Sequence, residues 1–506
     1  MTLFLQRDTK VFLEKKVGSV SQYWEIPVLE GFSFTQGNET TETTLSEMAD
    51  ANGLTRRGRR VFNDALSPAE WSMSTYIRPF ISAGTGSGAA DNALNHHLIE
   101  EVLWANFVGK GEWSTATTAL IPGDTLAITV NGTSGGTDGT YEIDAFEYTS
   151  DGSGINATFL VTVSSGVVSE IKVVNPGTGF ASGDVITFPA DLFGTAANVT
   201  STLVAGDIDS SQTTAYDYEL DNVLFGTGSS TIYFGGSNVA ELGTFNLYFV
   251  LGAQTATAAN NYTAAEILSG KLKVYKVANC VVNEATISFD VDGIAQIDWS
   301  GNGTEIIAFD GSTTSDPVHG DISQLNMSGA SVIREDITAT DNFIRNKVSA
   351  LTVTAGAPGT FDGAGLGVYN FTLTGGSITF SNNVTYLTPE TLGIVNTPIG
   401  HITGNKSVSG DFTCYISAGT AGDSADFYAD MVSAAAKAII TNEFALGFKL
   451  GGVAGTPRFE VNLPTAHIEI PEVNIEDVIA VNMNFHGLPS TITDNDEANL
   501  VIVGAA

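Results

Sequence analysis

The chain has little of several residue types, and each shortage excludes a class of protein. Only Cys280 and Cys414 occur in 506 residues, so neither a disulfide framework nor a thiolate metal site is expected, and both are predicted to be buried thiols. No stretch approaches the roughly 18 apolar residues of a membrane-spanning helix. Residues 1–16 also lack the basic segment and apolar run of a signal peptide. We therefore expect a soluble chain that does not insert into a membrane.

Basic residues are the second shortage. Lys and Arg total 21 against 56 Asp and Glu, which gives a net charge of −35. Most of such a surface repels phosphate, so binding of nucleic acid through release of counterions is not expected. Four of the few cations nevertheless stand together around one glycine, as Arg56, Arg57, Arg59 and Arg60.

Motifs that carry chemistry are absent as well. No glycine-rich phosphate loop precedes a helix, and no nucleophile elbow or metal-binding helix motif is present. His96 and His97 are adjacent on a predicted helix, so the two side chains cannot face one metal ion. We predict no enzyme, no cofactor and no metal site, although sequence alone does not exclude the paired carboxylates of a glycoside hydrolase.

What the sequence does contain is a repeat. The residues Ile81–Thr85 return letter for letter as Ile416–Thr420, and an Ala-Asp step follows each copy. Asp91 is predicted to cap a helix after the first copy, and Asp426 takes the same position after the second. The first predicted helix has an apolar stripe at four-residue spacing, formed by Leu94, Leu98, Val102 and Ala105.

Alternating apolar and polar residues predict a mainly β protein built from two copies of one unit. Phe245–Phe249 in the first copy corresponds to Phe444–Phe448 in the second. The first copy is much longer between its helix and this strand, which indicates an insertion with its own short strands. The predicted division is a first unit in two parts, 1–111 and 206–310, an inserted small β domain, 112–205, a polar linker, 311–330, and a second unit, 331–506.

The hairpin from Arg458 through Phe485-His486-Gly487 to Pro489, with the strand Trp71 to Ile81 and its following helix, resembles the tail tube (major tail) proteins of long-tailed bacteriophages. The resemblance implies two β-sandwich or barrel domains, each with a flanking α-helix. It also implies a virion protein, assembled in the host cytoplasm with other tail proteins, that stacks as rings into a hollow tube through which DNA passes to the host. Two tube folds in one chain imply a homotrimeric ring with pseudo-sixfold symmetry.

Two sets of charged residues are candidates for assembly. The loop Arg56 to Arg60 is interpreted as an arm whose guanidinium groups pair with carboxylates of a neighbouring copy, with a solvated hairpin tip as the alternative. Acidic residues on equivalent hairpins of the two copies would repel DNA from the lumen, so that it passes without specific binding, with an ordinary solvated sheet face as the alternative. These lumen candidates are Glu284, Asp290, Asp292, Asp298, Glu469, Glu472, Glu476 and Asp477.

A different function remains open at this point. A β-rich phage adhesin or tail fibre module that binds host carbohydrate would have a similar composition. Such a module needs an aromatic platform for sugars, and the five tryptophans are dispersed along the chain, at Trp24, Trp71, Trp104, Trp113 and Trp299.

Overall fold

The computed structural model describes the protein over most of its length. The described residues are 3–17, 20–44, 59–82, 94–115, 119–121, 124–143, 147–152, 154–209, 218–235, 241–253, 262, 264–309, 332–333, 342–346, 349–355, 367–390, 395–418, 422–433, 443–452, 456–470, 472–475, 478–491 and 494–504. Within them the chain is mainly β, which confirms the predicted fold class. The predicted linker 311–330 lies outside the described residues.

The first part of the chain contains β1 (Thr9–Val17), β2 (Val20–Ile26), β3 (Ser33–Thr35), β4 (Asn38–Thr44), β5 (Arg59–Leu66), β6 (Ala69–Tyr76), β7 (Phe80–Ile81), β8 (His96–His97) and α1 (Glu101–Val108). The next part contains β9 (Trp113–Thr115), β10 (Ala119–Leu120), β11 (Ile128–Val130), β12 (Gly139–Ile143), β13 (Thr149–Ser150), β14 (Ile155–Ser164), β15 (Val167–Thr178), β16 (Val185–Phe188), β17 (Val199–Thr202) and β18 (Ile208–Asp209).

The chain continues with β19 (Tyr218–Leu220), β20 (Val223–Leu224), β21 (Ser230–Tyr233), β22 (Phe245–Leu251), α2 (Ala264–Leu268), β23 (Lys273–Asp290), β24 (Gln296–Gly303), β25 (Glu305–Phe309) and β26 (Val332–Ile333). The last part contains β27 (Ala350–Ala355), β28 (Val368–Phe371), β29 (Leu373–Ser381), β30 (Thr385–Leu387), β31 (Gly400–Ile402), β32 (Ser407–Tyr415), α3 (Ser424–Val432), β33 (Phe444–Gly451), β34 (Arg458–Ile468), β35 (Glu472–Ile475), β36 (Ile479–Leu488) and β37 (Asn499–Val503).

Two sets of strands are paired in the same pattern. In the first set β1 pairs with β2 and β22, β22 with β23, β23 with β24 and β25, and β6 with β24 and β3. The second set has the same pairings: β27 pairs with β28 and β33, β33 with β34, β34 with β36 and β37, and β32 with β36 and β29. In this correspondence β27 is equivalent to β1, β28 to β2, β33 to β22, β34 to β23, β36 to β24, β37 to β25, β32 to β6 and β29 to β3. Every one of these pairings is antiparallel. We call the two sets the first unit and the second unit.

Each unit has two β-layers around apolar side chains. In β6 the buried residues Ala69, Trp71 and Met73 alternate with polar ones, as a strand with one face on a core requires. β23 is long enough to serve both layers of the first unit, because its first half pairs with β22 and β25 and its second half with β24. The layers of the two units share one continuous apolar core.

Helix α1 connects the cores of the two units, and all of its residues are buried. The ring of Trp104 lies 4.9 Å from Trp299 of the first unit and 5.1 Å from Phe380 of the second, both edge to face. Such aromatic contacts add to the free energy already gained by burying the rings. The first unit's helix therefore belongs to the junction between the units.

The predicted start of this helix is wrong over the described residues. Asp91 lies outside them, Leu94 has a positive φ of 59°, and His96–His97 forms β8, paired with β7. The helix begins at Glu101 because its carboxylate accepts a hydrogen bond from the Leu98 amide at 3.1 Å and lies 3.0 Å from the buried His97 Nδ1. The two histidines are thus on a strand and not on a helix.

The second predicted helix is present, but its cap differs from the prediction. Asp423 is the N-cap residue of α3, and its side chain accepts hydrogen bonds from the amides of Ala425 at 3.1 Å and Asp426 at 3.2 Å. Asp426 therefore lies in the first turn, where a carboxylate is also favourable.

The region predicted as an insertion has a core of its own. A four-stranded sheet, β11-β17-β16-β13, faces a three-stranded sheet, β12-β14-β15. Apolar side chains from both sheets form a separate cluster that includes Phe159, Val161, Phe188 and Val199. We call this part the inserted sandwich. Cys280 and Cys414 are free and buried, as predicted.

Candidate assembly surfaces

The two units are joined edge to edge in one sheet. The second half of β23 pairs with β29 over seven residue pairs, from Glu284 opposite Ser381 to Asp290 opposite Gly375. The hydroxyl groups of Thr286 and Thr379 lie 3.1 Å apart across this contact. The junction is therefore an ordinary antiparallel ladder that connects the first unit with the second unit.

The junction creates an eight-stranded sheet in the order β3, β6, β24, β23, β29, β32, β36, β35. One face of this sheet packs on the shared core, and we call the other the polar face. Only the second half of β23, residues 281–290, belongs to this sheet, and neither it nor the other seven strands contain lysine or arginine. Side chains of the polar face include Ser72, Ser74, Thr286, Ser288, Ser300, Ser377, Thr379, Ser409, Thr413, Asn482, Asn484 and His486.

Predicted lumen residues of the first unit lie on or beside this polar face. Glu284 in β23 and Asp298 in β24 are on it, and Ser74 Oγ donates a 2.6 Å hydrogen bond to Asp298. Asp290 ends β23, and its Oδ1 accepts a hydrogen bond from the Gly293 amide. Asp292 lies in the turn between β23 and β24 rather than in a strand.

The second unit is less fully described at the equivalent positions. Glu469 follows β34 and accepts a 3.0 Å hydrogen bond from Asn484 Nδ2 on the polar face. This bond and the neighbouring His486 hold the pKa of Glu469 below its usual value. Glu472 lies in β35, whose side chains are not described, and Glu476 and Asp477 lie outside the described residues.

Two further acidic residues share the polar face and were not among the sequence candidates. Glu70 is exposed in β6, and Asp411 in β32 accepts a 2.6 Å hydrogen bond from Ser377 Oγ. The signal for both is the alternation of their strands, because each lies an even number of positions from a polar-face serine.

A hairpin of β4 and β5 projects from the sheet, and we call it the first arm. All of β4 that is described and residues 59–64 of β5 are exposed, including Val61 at 59% and Phe62 at 48%. A two-stranded ribbon that buries neither face is marginally stable in water. Val61 and Phe62 are therefore candidates for contact with another molecule.

The first arm also carries the described part of the arginine cluster. Arg59 lies 3.4 Å from Glu42 in an exposed cross-strand ion pair, a type of pair that contributes little to folding. Arg60 is exposed on the neighbouring position. Arg56 and Arg57 lie outside the described residues.

The second unit has a hairpin at the equivalent place, β30 with β31, which we call the second arm. It exposes Leu387 at 42% and Ile402 at 54% and has no arginine. The base of the first arm contacts the connection between β30 and β31 of the second arm, since the Leu66 amide donates to the Asn396 carbonyl at 2.8 Å and the Asn396 amide donates to the Asp64 carbonyl at 3.0 Å.

Strand direction places both arms at one end of the eight-stranded sheet. The first arm precedes β6 and the second arm follows β29, and these two strand ends are on the same side of the sheet. The turns that connect β23 with β24 and β35 with β36 are at the opposite end. The sheet therefore has an arm end and a turn end of different chemistry.

No family model matches the chain. Among curated proteins, it aligns over 504 residues, which is 99% of this chain and 76% of the relative, at 23% identity with the tail tube protein pb6 of Escherichia phage T5. This chain is similar to a phage tail tube protein. The resemblance indicated by the hairpin from Arg458 and the strand from Trp71 is thereby confirmed. Because the alignment covers both units and the inserted sandwich, the tail tube similarity applies to the whole arrangement.

Among the side chains that the structure describes, the tryptophans and the possible metal ligands bear on the alternative functions. Trp24, Trp71, Trp104 and Trp299 are each at most 2% exposed, so none presents a ring to a sugar. Within the described part of the chain, no group of three or more His, Cys, Asp or Glu side chains could hold a metal ion. No described helix is long and apolar enough to cross a membrane.

Proposed function

We propose that this chain is a structural virion protein whose copies form rings that stack into the hollow tail tube of a phage, through which DNA reaches the host. The similarity to a tail tube protein along nearly the whole chain supports the role. Such a protein would be part of the virion, would contact other tail proteins, and would be assembled in the host cytoplasm. The role is structural, and no catalytic residue is assigned.

One observation carries the proposal of a ring, namely the junction between β23 and β29. In the second unit the place of the second half of β23 is taken by the end of β34 and by β35, which pair only with β36 among the described residues. In the first unit the place of β29 is taken by β3, which pairs only with β6 among them. Each chain thus has two open strand edges, one at β35 in the second unit and one at β3 in the first unit.

These two edges are complementary between copies. If β35 of one chain pairs with β3 of the next, the contact between chains repeats the one that joins the units within a chain. A head-to-tail contact of this type gives a ring when its rotation closes, and pairing also covers edges that otherwise promote aggregation. The division into two duplicated units with an inserted β domain at 112–205 is part of this proposal.

Three chains are the stoichiometry that fits. Three chains supply 3 × 2 = 6 equivalent units and 3 × 8 = 24 strands. At about 4.8 Å between strands and a tilt near 40°, such a barrel has a backbone diameter of roughly 50 Å. Barrels of roughly 16 to 18 strands already enclose an aqueous channel, so this one leaves space for a nucleic-acid duplex.

The polar face is the surface that would line this channel. It has hydroxyl, amide and carboxylate groups, and the part of β23 in this sheet (residues 281–290) and its other seven strands contain no lysine or arginine. Phosphate groups therefore meet neutral or negative side chains along the wall, and the DNA would pass without specific binding. Glu70 and Asp411 join Glu284 and Asp298 as proposed lumen residues.

Electron microscopy and mass measurement of the purified protein test the proposal. We expect rings with six similar lobes, the inserted sandwich adding three outer lobes, and a particle mass of three chains or of stacked multiples of three. A stable monomer, or a slender trimer without a central hole as an adhesin would give, would contradict the tube. A ring of six chains would contradict the equivalence of the two units.

A further inference from the structure

The turn end of the sheet contains a cavity that none of the assembly contacts above uses. Its volume is about 340 Å³, and it opens where β6, β23 and β24 end. We call it the rim pocket. Its walls are formed by Tyr76, Ser288, Phe289, Asp290, Gly293, Ile294, Gln296 and Asn346.

Two acceptor groups define the chemistry of the rim pocket. Asp290 is exposed and uses Oδ1 for the Gly293 amide. Asn346 is only 7% exposed, and its Oδ1 has no hydrogen-bond partner among the described residues. A buried acceptor without a donor is unfavourable. The pocket therefore calls for a ligand that brings several hydrogen-bond donors and a positive charge.

The other walls favour a flat cation. The Tyr76 ring lies 5.8 Å from Phe343, and Phe289 and Ile294 add apolar surface. An arginine already stacks beside the pocket, since Arg78 Cζ lies 5.3 Å from the centre of the Phe343 ring. A guanidinium group combines planar donors for carboxylate and amide oxygens with faces that stack on aromatic rings, whereas an ammonium group does not.

A guanidinium group of this kind is exposed at the arm end of the sheet. Arg60 is exposed on the first arm and makes no hydrogen bond or ion pair with the described residues. β6 separates the arm from the rim pocket, and its eight residues span about 26 Å at 3.3 Å each. Arg60 therefore cannot reach the pocket of its own chain, but in a stack the arm end of one ring faces the turn end of the next.

We propose that the rim pocket receives Arg60 of the first arm of a chain in the adjacent ring. The inference rests on the proposed tube and adds the surface that receives the arm. Arg60 donates to Asp290 and to the buried Asn346 Oδ1, and Val61 and Phe62 beside it cover the exposed Val291 and Ile294 of the turn. Because arm and pocket lie at opposite ends, the stack is polar and grows head to tail.

Charge exchange tests the pairing. Asp290→Arg alone and Arg60→Asp alone are each expected to reduce the amount of tube by at least about tenfold while rings remain. The double variant is expected to recover most of it, because the pair is restored with its charges exchanged. Asp290→Asn keeps an acceptor for the Gly293 amide and is expected to weaken stacking without loosening the turn. Glu170→Arg, on the exposed surface of the inserted sandwich, is the matched control.

A cross-link gives a direct reading of the contact. Chains with Asp290→Cys are mixed with chains with Arg60→Cys and treated with a mild oxidant. Tubes are expected to yield disulfide-linked dimers and isolated rings to yield none, since the native cysteines are buried.

The outcomes separate this inference from the tube itself. Normal tubes from Asp290→Arg, or tubes without the cross-link, overturn the rim pocket contact and leave the tube standing. Failure of the double variant to recover any tube also counts against direct pairing. A wild-type protein that forms neither rings nor tubes overturns both proposals.

Discussion

At the scale of single residues, Glu14 in β1 is a carboxylate that folding holds in one place. It is 7% exposed, and it accepts hydrogen bonds from Asn246 Nδ2 at 2.8 Å, from the Tyr248 hydroxyl at 2.8 Å and from the Tyr23 hydroxyl at 3.2 Å. Burial alone would raise the pKa of Glu14, but hydrogen bonds from Ser21, Asn246 and Tyr248 and the positive charge of Lys276 outweigh it and hold the pKa below its usual value. The ionised carboxylate thus ties three strands of the first unit together.

The variant Glu14→Gln is expected to lower the free energy of unfolding by about 1–3 kcal/mol at pH 7. Glutamine presents an NH₂ group to hydroxyl and amide donors, so at least one of the three hydrogen bonds is lost. Urea denaturation followed by circular dichroism measures the change. Glu142→Gln, an exposed position on the inserted sandwich, should differ from wild type by less than about 0.5 kcal/mol.

The pH dependence follows from the direction of this pKa shift. Because the pKa of Glu14 is lower in the folded state than in the unfolded state, its contribution is complete above the ordinary glutamate value of about 4.5. It is lost as the pH falls through the folded-state pKa. The difference between wild type and Glu14→Gln should therefore shrink under acid conditions. A difference that stays constant down to acid pH would show that Glu14 acts by shape and not by charge.

At the scale of elements, the first arm combines exposed apolar residues with the arginine cluster. Replacing Arg56, Arg57, Arg59 and Arg60 by alanine is expected to abolish tubes while rings and the folded subunit remain. The reason is that Arg59 and Arg60 are exposed and the described contacts of the arm with its own chain are at its base, so these charges contribute to assembly and not to folding. Tube length by electron microscopy and the melting temperature measure the two effects separately.

A control for this variant must change the net charge equally. Both variants take the formal charge from −35 to −35 − 4 = −39, and the control removes four exposed cations outside the arm. Normal tubes are expected from the control, and equal loss of tubes in both variants would indicate a general charge effect. The control positions are Arg7, Lys172, Lys271 and Lys449.

Elements with strict alternation could be predicted from the sequence, and those set by distant contacts could not. The strand around Trp71 and Met73 was predicted because its apolar residues recur at every second position. The apolar stripe from Leu94 predicted the wrong start for the helix. β7 pairs with β8 and His97 contacts Glu101, so the helix begins only at Glu101. Helical spacing is a weak local preference that tertiary contacts override.

The candidate assembly surfaces could also be predicted from the sequence only in part. Glu284 and Asp298 were candidates because acidic residues recur on equivalent hairpins of the two units, and both lie on the polar face. The junction of β23 with β29 gave no local signal, since the two strands are far apart in the chain and their pairing depends on the packing of whole units. The rim pocket could not be predicted either, because Asn346 reaches it from a segment between the units.

At the scale of the whole molecule, net charge becomes a property of the proposed tube. Three chains give 3 × −35 = −105 formal charges per ring, and the polar face directs part of that charge toward the lumen. The exterior and the lumen can be separated experimentally, because the residues that form the polar face, including 281–290 of β23, contain no lysine or arginine. Reversing charges on the polar face would change the side chains that line the proposed lumen and leave the arms unchanged.

The double variant Glu284→Lys with Asp298→Lys should still form tubes, because both side chains lie on the polar face away from the rim pocket and the arms. Its net charge per chain becomes −35 + 4 = −31, a small change overall but a local reversal repeated in every ring. We expect these tubes to retain a short fluorescent DNA duplex at low salt and to release it as salt rises, since the attraction is electrostatic and screened. Wild-type tubes should retain none.

The exterior control carries the same charge change on the inserted sandwich, with Glu170→Lys and Asp191→Lys at exposed positions. Accessibility of the bound duplex to a nuclease distinguishes the two locations, because a nuclease is too large to enter the barrel. Protection is expected for the polar-face variant and degradation for the exterior one. Equal degradation in both would place the polar face on the outside of the tube, and the ring would then have to close with the opposite curvature.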